Sequence, residues 1–419
     1  MLRVKNVGSG DILSYYTDNS SASSNSLNIS QDYSISDVKK EINKPVLRPR
    51  YRVFWLNSDE SVKKIIPVED ILGGNYSENY QNGQRRSLTL ELYNASKEYT
   101  PSINGLWAGV KLSYEIGLEI DDDKTIWFPK GVFVITNINC SRGVGEKNVT
   151  VELGDKFATL EGAASTLETS YTIPVGTDIE SIIKDTLNVS KGNGDPIDPK
   201  TIIYHASFKG IKTQATINGE AGQTWGSIIL DLATMLSAEV FYDIEGHLNF
   251  VPINEVTDDV DKPIIFQIFD ENGDFSSNNL SFNMTEVINR VVVIGANVNG
   301  EACTAIAVND DPTSPLCYQR IGYRTGSPIN DSNITSKILA EERANYELRQ
   351  KLILKSSVST QVSLNPLLSV NNIIMVTDSF YGFQQEKFLI QEISYSLDYS
   401  GQMDVSTTNT RNLPFAVGG

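Results

Sequence analysis

Residues 110–120 read VKLSYEIGLEI, and apolar side chains alternate with polar or small ones throughout the stretch. The apolar side chains are those of Val110, Leu112, Tyr114, Ile116, Leu118 and Ile120. This period of two predicts a long β-strand, because successive side chains of a strand point to opposite faces. The pattern also predicts that one face of the strand is buried, and it indicates a mainly β fold.

Segments with the same alternation flank this strand and form a first block of strands over residues 46–165. They cover residues 51–55, 88–92, 132–138 and 149–153. The sequence WFPKG at residues 127–131 contains Pro and Gly, which predicts a turn before the strand at 132–138. Several strands separated by Gly, Pro, Asn and Asp are typical of a barrel or a sandwich.

Residues 166–255 change character and predict a small α+β domain. Thr177 and Glu180 have the spacing of a capping box, with Thr177 as the N-cap of a helix that follows. A second helix is predicted over residues 224–237, where apolar side chains recur at helical spacing. A hairpin with strands at 240–242 and 247–251 closes this part of the chain.

A second block of strands is predicted over residues 256–299 and 356–419. Its run VINRVVVIG at residues 287–295 is typical of a strand that is buried on both faces or lies in a barrel wall. An insertion at 300–355 separates the two parts, loop-like to residue 328 and helical over 334–352. Residues 1–45 are rich in Ser and Asn and predict an arm with too little apolar area to fold alone.

The net charge of −17 argues against a protein that grips nucleic acid, because phosphate binding needs clustered Lys and Arg. The arginines at positions 48, 50 and 52, and those at 85 and 86, are the nearest approach to a basic cluster. Scattered surface cations or ion-pair partners are the expected roles of these side chains. No apolar run reaches the roughly 18 residues of a membrane helix, and the N-terminus lacks the apolar core of a secretory signal.

The sequence contains no GxSxG, no Walker loop and no GxGxxG after a strand. Gly73 and Gly74 are expected in a turn. Glu115, Glu119 and Glu239 are carboxylates of the kind that a glycosidase pairs, but nothing in the sequence singles out two of them. We therefore predict a protein that is not an enzyme, with no catalytic residue and no cofactor.

No metal site is predicted either. The acidic run at residues 121–123 lacks the Gly and the distal Glu of a calcium loop, and is expected at a solvated hairpin tip. His205 and His247 are the only histidines. The odd count of three cysteines favours reduced thiols, with a Cys303–Cys317 bridge as the alternative.

Trp107 and Trp127 are expected on turns, where an exposed aromatic side chain can serve a protein interface. Trp127 is the one candidate interface residue that the sequence offers. Trp225 follows the apolar face of the second predicted helix, which favours a core position. Its alternative role is sugar stacking together with Gln223.

Seven stretches, taken in order, carry a resemblance to a known family. They are RYRV at 50–53, GQRRSL at 83–88, WFPKG at 127–131, LGDKF at 153–157, INRVVVIG at 288–295, AEERA at 340–344 with Leu348, and NLPF at 412–415. The chain resembles the baseplate hub proteins of contractile-tailed bacteriophages, of the type found in phages of Gram-positive hosts. The resemblance covers residues 46–415, and the arm at 1–45 lies outside it.

The resemblance implies a homotrimeric ring in which each subunit contributes two barrels that are similar to the tail-tube protein. One face of such a ring meets the six-fold tail tube or a distal tail protein, and the other holds the central spike or tail-tip protein. Other baseplate proteins are further partners, DNA passes through the lumen without specific binding, and no part spans a membrane. The location implied is the virion tail baseplate, assembled in the host cytoplasm.

Three other functions remain open at this point. The chain could be the hub of a phage-derived contractile injection particle, a cell-wall hydrolase at a tail tip, or a module that binds host sugars. The hydrolase requires a convergent pair of carboxylates or a Cys/His pair. The sugar-binding module requires exposed aromatic side chains in a groove, for which Trp127 is the first residue to test.

Overall fold

A computed structural model describes residues 13–17, 28–33 and 47–409, except 103, 122–123, 146, 190–191, 193, 214–215, 237, 253–263, 271–274, 283–286, 299–300, 315, 332–333 and 353–355. The protein is mainly β, as the sequence predicts. Apart from two paired strands, the predicted arm at 1–45 lies outside the described residues, as does the stretch at 412–415.

The strands of the first part of the chain are β1 Leu13–Thr17, β2 Asn28–Tyr33, β3 Pro49–Leu56, β4 Val62–Ile66, β5 Ile71–Asn79, β6 Arg86–Tyr93, β7 Lys111–Asp121, β8 Lys124–Arg142, β9 Lys147–Asp155, β10 Tyr171–Ile173, β11 Ile203–Tyr204, β12 Ile217–Gly219, β13 Ala238–Tyr242 and β14 Leu248–Pro252. The helices here are α1 Phe157–Glu161, α2 Ile179–Leu187 and α3 Trp225–Met235. Short 3-10 turns lie at Val68–Asp70, Ala163–Ser165 and Ala206–Phe208.

The remaining strands are β15 Ile264–Phe269, β16 Phe275–Phe282, β17 Arg290–Val298, β18 Glu301–Val308, β19 Ile329–Asn330, β20 Ser356–Ser363, β21 Ile373–Asp378, β22 Phe383–Ser396 and β23 Gln402–Asn409. The remaining helices are α4 Tyr318–Ile321 and α5 Lys337–Leu352. The chain divides into two compact units, the first formed by residues 1–253, 361–371 and 391–405, and the second by 254–360, 372–390 and 406–419.

The first unit is built on an antiparallel sheet in the order β4, β3, β7, β8, β9, β6, β5 and the end of β22. The 19-residue strand β8 pairs with β7 along its first half and with β9 along its second half. Aromatic rings fill the centre, where Tyr76 packs on Tyr114, Phe133 and Tyr395 at centroid distances of 5.0–6.4 Å. All four side chains are buried, so this cluster forms part of the core of the first unit.

Strand β7 confirms the strand at 110–120 but corrects its burial. Both faces are buried, because Lys111, Ser113 and Glu115 are as inaccessible as the apolar side chains between them. The two charged residues have partners, since Lys111 pairs with Glu60 at 2.6 Å and Glu115 pairs with Arg52 at 2.5 Å. The alternation of apolar and polar residues in β7 therefore distinguishes an apolar face from a face with buried ion pairs. It does not indicate an exposed face.

The predicted turn at 127–131 is wrong, because these residues lie inside β8. Pro129 lies opposite Glu115 and Gly131 opposite Tyr114, so Lys130 is an extra residue in a β-bulge. A bulge tolerates Pro and Gly inside a strand. Gly131 has a φ of 142°, a backbone conformation that favours glycine. The two turn-forming residues thus bend a strand that continues through them.

Gly73 and Gly74 also lie in a strand, β5, and not in the expected turn. Gly74 has a φ of 155°, and a Cβ at this position would lie 2.0 Å from the carbonyl oxygen of Thr89 on β6. Gly73, its neighbour in the same strand, would place a Cβ 3.9 Å from its nearest atom. The glycine pair therefore contains one position that requires glycine and one that does not.

Replacing Gly74 by alanine is expected to lower the free energy of unfolding of the first unit by more than about 2 kcal/mol, because the backbone of β6 must move. Gly73→Ala is the matched control and should cost less than about 1 kcal/mol. Urea unfolding of the two variants and the wild type provides the comparison. Equal effects of both substitutions would show that the close approach of Gly74 to Thr89 is not what requires glycine.

The α+β region of the first unit contains the two predicted helices and the predicted hairpin, as α2, α3 and the antiparallel pair of β13 with β14. The predicted cap is displaced by one residue. Asp178, not Thr177, is the N-cap of α2, and its Oδ1 accepts from the amide of Ser181 at 2.9 Å. Glu180 pairs instead with Lys184 along the helix at 2.7 Å.

In the second unit, β21 runs parallel to β15 and antiparallel to β22. The loop-like segment predicted from residue 300 is wrong at its start, because residues 301–308 form β18, which pairs with β17. Together with β19 these strands form a separate three-stranded sheet, and helix α5 packs on one face of it. Only that face of β17 is buried, so the expectation of burial on both faces at 287–295 is corrected.

Candidate functional site

Two of the stretches that carry the resemblance meet in the first unit. The amides of Arg85 and Arg86 both donate to one carboxylate oxygen of Asp155, at 2.8 and 3.0 Å. The other oxygen of Asp155 accepts from the amide of Phe157 at 3.0 Å. GQRRSL and LGDKF therefore form one structural element, in which a buried carboxylate holds two backbone segments together.

The side chains of the same two arginines extend to neighbouring acids. Arg86 pairs with Glu78 at 2.6 Å and donates to the carbonyl of Tyr242 at 2.6 Å. Arg85 pairs with Glu239 at 2.9 Å. All of these charged side chains are buried, and Glu239 lies on β13 of the α+β region. These contacts therefore fix the α+β region against the large sheet of the first unit.

A second group of buried charges lies beside them. The carboxylate of Glu60 contacts the ammonium groups of Lys111 and Lys156 at 2.6 and 2.7 Å, and Lys156 also pairs with Asp198 at 2.6 Å. Burial alone would raise the pKa of Glu60, but the two lysines outweigh it and hold the pKa below its ordinary value. Asp198 also accepts from the hydroxyl of Tyr242 at 2.7 Å.

We call these two groups together the polar junction. Its charged members are Glu60, Glu78, Arg85, Arg86, Lys111, Asp155, Lys156, Asp198 and Glu239. The ionic contacts in this set join oppositely charged groups, and the geometry is that of a structural joint.

Asp155 gives the polar junction a distinctive pH dependence. Complete burial raises its pKa from 3.8 to about 6, although Arg86 and three amides act in the opposite direction. A raised folded-state pKa means that the contribution of Asp155 to stability is fully present below about pH 4. It is lost as the pH rises through 6, because the folded state binds the proton more tightly than the unfolded state.

We expect Asp155→Asn to remove this dependence. Between pH 4 and pH 7, the wild type should lose about 2 kcal/mol of stability relative to the variant, since one pKa unit corresponds to about 1.4 kcal/mol. Urea unfolding of the first unit at several pH values measures the difference. A wild-type-minus-variant difference that stays flat across this range would contradict the assigned role of Asp155.

Lys130 belongs to WFPKG, a third stretch of the resemblance, and gives this stretch a structural role. This bulge residue is buried, and its ammonium group donates to the carbonyls of Pro366 and Leu368 at 2.8 and 3.3 Å. Burial lowers the pKa of Lys130 to about 8. WFPKG thus ties β8 to the segment at 361–371 within the first unit.

Trp127 lies on an ordered charged surface and not on a turn. It is half-buried in β8, and the guanidinium of Arg52 lies 4.0 Å from its ring centroid. The ring also lies against Gly117, where a Cβ would come within 2.9 Å of it. Arg52 also pairs with Glu115, and Arg50 pairs with Glu119, both at 2.5 Å.

We call this surface the arginine–tryptophan face. Arg48 completes it with a contact of 3.4 Å to Glu119. The prediction that Arg48, Arg50 and Arg52 are ion-pair partners is therefore confirmed, and the pairs of Arg85 and Arg86 confirm the same prediction for the second basic run. The role of Trp127 at an interface stays a prediction.

The carboxylates considered for glycosidase chemistry do not converge as a free pair. Glu115 and Glu239 are both buried against arginines, and Glu119 contacts two arginines on the arginine–tryptophan face. His205 caps a 3-10 turn through the amide of Ser207. Within the described ranges, no group of three His, Cys, Asp or Glu side chains is arranged to hold a metal ion.

The three cysteines are free thiols, so the alternative of a Cys303–Cys317 bridge is wrong. Asp121 begins the β7–β8 turn opposite Lys124, while residues 122–123 lie outside the described residues. In the part of the chain that the structure describes, no helix has the length and apolar character needed to cross a membrane.

Trp225 and Trp107 differ in burial. Trp225 is partly buried against the core of the α+β region, and its ring meets that of Tyr171 edge-on at 4.8 Å. Gln223 accepts from the amide of Glu220 at 2.8 Å, and its role in sugar stacking stays untested. Trp107 lies in a loop and is 56% exposed, as expected for an aromatic side chain on a turn.

No protein-family model matches the chain, and no curated protein matches it in sequence. The fold, however, is that of solved phage tail proteins. The 43 kDa tail protein of prophage MuSo2 from Shewanella oneidensis matches with a TM-score of 0.57 and 14% identity, over 86% of this chain and 98% of that chain.

Two further solved structures share the fold. Prophage tail protein gp18 from Listeria monocytogenes matches with a TM-score of 0.50 and 12% identity, over 85% of this chain and 94% of that chain. A chain of the Francisella PdpA–VgrG complex matches with a TM-score of 0.52 and 12% identity, over 90% of this chain and 61% of that chain. At these identities the likeness establishes the fold, and the function has to be argued from it.

Proposed function

We propose that the chain is a non-enzymatic structural protein of a phage tail, the hub of the baseplate. The observation that carries this proposal is the match to the prophage MuSo2 tail protein, which spans 98% of that protein and 86% of this chain. Because the match spans nearly the whole of a tail protein, it reflects a shared overall fold and not one shared domain. The seven stretches of resemblance point to the same class, and three of them form internal structural contacts.

In the proposed hub, three copies form a ring, and each copy contributes two tube-like barrels. Residues 46–165 would form the first barrel, and 256–299 with 356–419 the second. The α+β region at 166–255 and the insertion at 300–355 would lie outside the ring. Six barrels from three chains would adapt a six-fold tail tube to a three-fold spike or tail-tip protein. These two neighbours, other baseplate proteins and further copies of the chain are the proposed partners.

We further propose that DNA passes through the lumen without specific binding. The net charge of −17 supports this, because a negative wall repels phosphates and lets a nucleic acid slide. The described arginines of the two basic runs are paired with acids and do not form a basic patch. The site of action would be the virion tail baseplate, assembled in the host cytoplasm, and a host of the Gram-positive type is part of the proposal.

A second candidate is the hub of a phage-derived contractile injection particle. The likeness to a chain of the PdpA–VgrG complex favours it, since the same fold occurs there. The genes that flank this chain would separate the two, because a phage requires capsid and packaging genes. A cell-wall hydrolase is disfavoured by the paired state of Glu115, Glu119 and Glu239, and a zymogram that cleared peptidoglycan would restore it.

The proposed hub makes a direct prediction about assembly. Light scattering of the purified chain is expected to show a trimer, and electron microscopy should show a ring with three subunits and six lobes. A stable dimer would contradict the ring. A density map with a channel lined mainly by Lys and Arg would contradict the proposed passage of DNA.

A further inference from the structure

The polar junction contains a buried lysine that lies between two buried carboxylates. The ammonium group of Lys156 lies 2.7 Å from Oε1 of Glu60, and it donates to Oδ1 of Asp198 at 2.6 Å and to the carbonyl of Gly246 at 2.8 Å. The side chains of Lys156, Glu60 and Asp198 are only 1–3% exposed. An amine and a carboxyl group held in contact away from water are the two reactants of an amide bond.

Burial changes the chemistry that is open to Lys156 and Asp198. A proton that moves from the ammonium group to the carboxylate along their contact replaces two buried charges with a neutral amine and a neutral acid. Water opposes this transfer because it solvates the charged forms, whereas a protein interior penalises them. The neutral amine is a nucleophile, and its fixed position beside the acid replaces a bimolecular encounter.

The carboxyl group of Asp198 is arranged to receive a nucleophile. The hydroxyl of Tyr242 donates to its Oδ2 at 2.7 Å, on the oxygen that does not face Lys156. A donor at this position stabilises the negative charge that develops on a carbonyl oxygen when its carbon is attacked. Burial and the nearby Asp198 raise the pKa of Tyr242 well above its ordinary value, so the hydroxyl keeps its proton and remains a donor.

Glu60 is placed to carry a proton between the reacting groups. It lies in the turn between β3 and β4 with a φ of 68°, at a position where such hairpin turns usually have glycine. A strained conformation of this kind persists only where the surrounding contacts hold it. Its Oε1 faces Lys156, while its buried Oε2 accepts no hydrogen bond within the described residues, although Nζ of Lys200 lies 3.4 Å away.

We propose that Lys156 and Asp198 form an intramolecular amide bond, with Glu60 as the proton carrier. Nζ of Lys156 attacks Cγ of Asp198, the bond from Cγ to Oδ1 breaks, and one water molecule leaves. The ammonium group starts with three protons. One passes directly to Oδ1, a second passes through Glu60 to the same oxygen, and the third stays on the amide nitrogen that faces the carbonyl of Gly246. One positive and one negative charge disappear together, and no oxidant or reductant takes part.

The other ion pairs of similar length lack this arrangement. Lys111 and Glu60 are buried and lie 2.6 Å apart, but the second oxygen of Glu60 has no hydroxyl donor to stabilise a developing charge. Lys184 and Glu180 lie 2.7 Å apart, but their side chains are 53% and 25% exposed, so water keeps both groups charged. The geometry therefore selects one pair, and the exposed pair serves as a negative control in the same chain.

The bond would have a structural consequence for the first unit. Lys156 follows β9 in the LGDKF stretch, and Asp198 lies 42 residues further on, between α2 and β11. An amide bond between them closes a loop that contains α2 and attaches the α+β region covalently to the large sheet. A cross-link of this kind restricts the unfolded chain, so the linked protein should resist denaturant better than an unlinked one.

Intact-mass spectrometry of the denatured full chain tests the bond. The wild type is expected to be lighter than its sequence mass by one water molecule. Lys156→Arg keeps the positive charge but removes the amine, so it should have its full sequence mass. Trypsin does not cleave after an acylated lysine, so residues 148–184 should appear joined to 192–200. Normal cleavage after Lys184 would show that the exposed pair has not reacted.

Glu60→Gln tests the proton carrier separately. The amide keeps the size of the side chain but cannot accept a proton, so formation of the bond should slow at least about tenfold. The linked fraction is measured by intact mass in samples taken at intervals after synthesis of the chain begins. Circular dichroism of Glu60→Gln and of Lys156→Arg verifies that each variant is folded.

Three results would contradict the proposal. A folded wild-type chain at its full sequence mass would exclude the bond, and this measurement needs no variant. A link that maps to Lys111 and Glu60 would show that the wrong pair was assigned. A Glu60→Gln chain that links at the wild-type rate would remove Glu60 from the reaction. None of these results bears on the proposed hub, which the assembly state of the chain tests independently.

Discussion

Arg86→Met is expected to lower the free energy of unfolding of the first unit by about 3–5 kcal/mol. The guanidinium of Arg86 pairs with Glu78 at 2.6 Å, and Glu78 is only 1% exposed. Without Arg86, the carboxylate of Glu78 keeps its burial but loses its cation, and an uncompensated charge inside a protein is strongly destabilising. The carbonyl of Tyr242 also loses its donor. Denaturant unfolding followed by far-UV circular dichroism measures the loss.

Two controls separate the buried charge from the mere loss of a side chain. Adding Glu78→Gln to Arg86→Met removes the orphaned charge, so the double variant should be more stable than Arg86→Met alone. Arg50→Met breaks an exposed pair with Glu119 and should cost less than about 1 kcal/mol. If Arg86→Met and Arg50→Met had equal effects, the polar junction would not stabilise the first unit through buried charge.

The strands that the sequence predicts best are those whose two faces differ in chemistry. Strand β6 alternates Leu88, Leu90 and Leu92 with polar residues, and the structure buries those three leucines. Strand β5 was missed, because its Gly73 and Gly74 remove the side chains that carry the alternation. Strand β18 was missed for a related reason, since its sequence EACTAIAV is dominated by small residues and adjoins a segment rich in turn residues.

The polar junction could not be predicted from the sequence, because its members are far apart in the chain. Arg86 and Glu78 are eight residues apart, but Arg85 and Glu239 are 154 apart, and they meet only through the packing of β13. Isolated acids such as Glu60 and Asp198 carry no local signal in a chain with 52 acidic residues. The resemblance drew attention to GQRRSL and LGDKF as stretches, and the structure supplies the contact between them.

The sequence prediction placed Trp127 on a turn, which is wrong. A tryptophan beside Pro and Gly favours an exposed turn, and the sequence contains no sign that Gly117 provides room for its ring. The turn between β21 and β22 was missed altogether, although its sequence DSFYG at 378–382 has the Asp and Gly of a capped turn. Sequence patterns therefore identified the strands of this protein better than its surfaces, because a surface depends on which strands become neighbours.

Ile116→Asp is expected to abolish folding of the first unit. Ile116 is fully buried, and it lies opposite Tyr51 on β3 and Phe128 on β8. A carboxyl group at this position either stays charged in an apolar core or takes up a proton at the expense of stability. Either outcome, together with the lost apolar contacts, should exceed about 5 kcal/mol, which approaches the whole stability of a typical domain.

Ile65→Asp is the matched control for this prediction. Ile65 lies on β4 and is 48% exposed, so the same chemical change leaves the carboxylate in water. It should cost about 1 kcal/mol or less, mainly through the lower strand propensity of aspartate. Near-UV circular dichroism and limited proteolysis report whether the first unit is packed in each variant. A folded Ile116→Asp variant would mean that residues 110–120 do not line the core. The assignment of this stretch to a buried strand of the first unit would then be wrong.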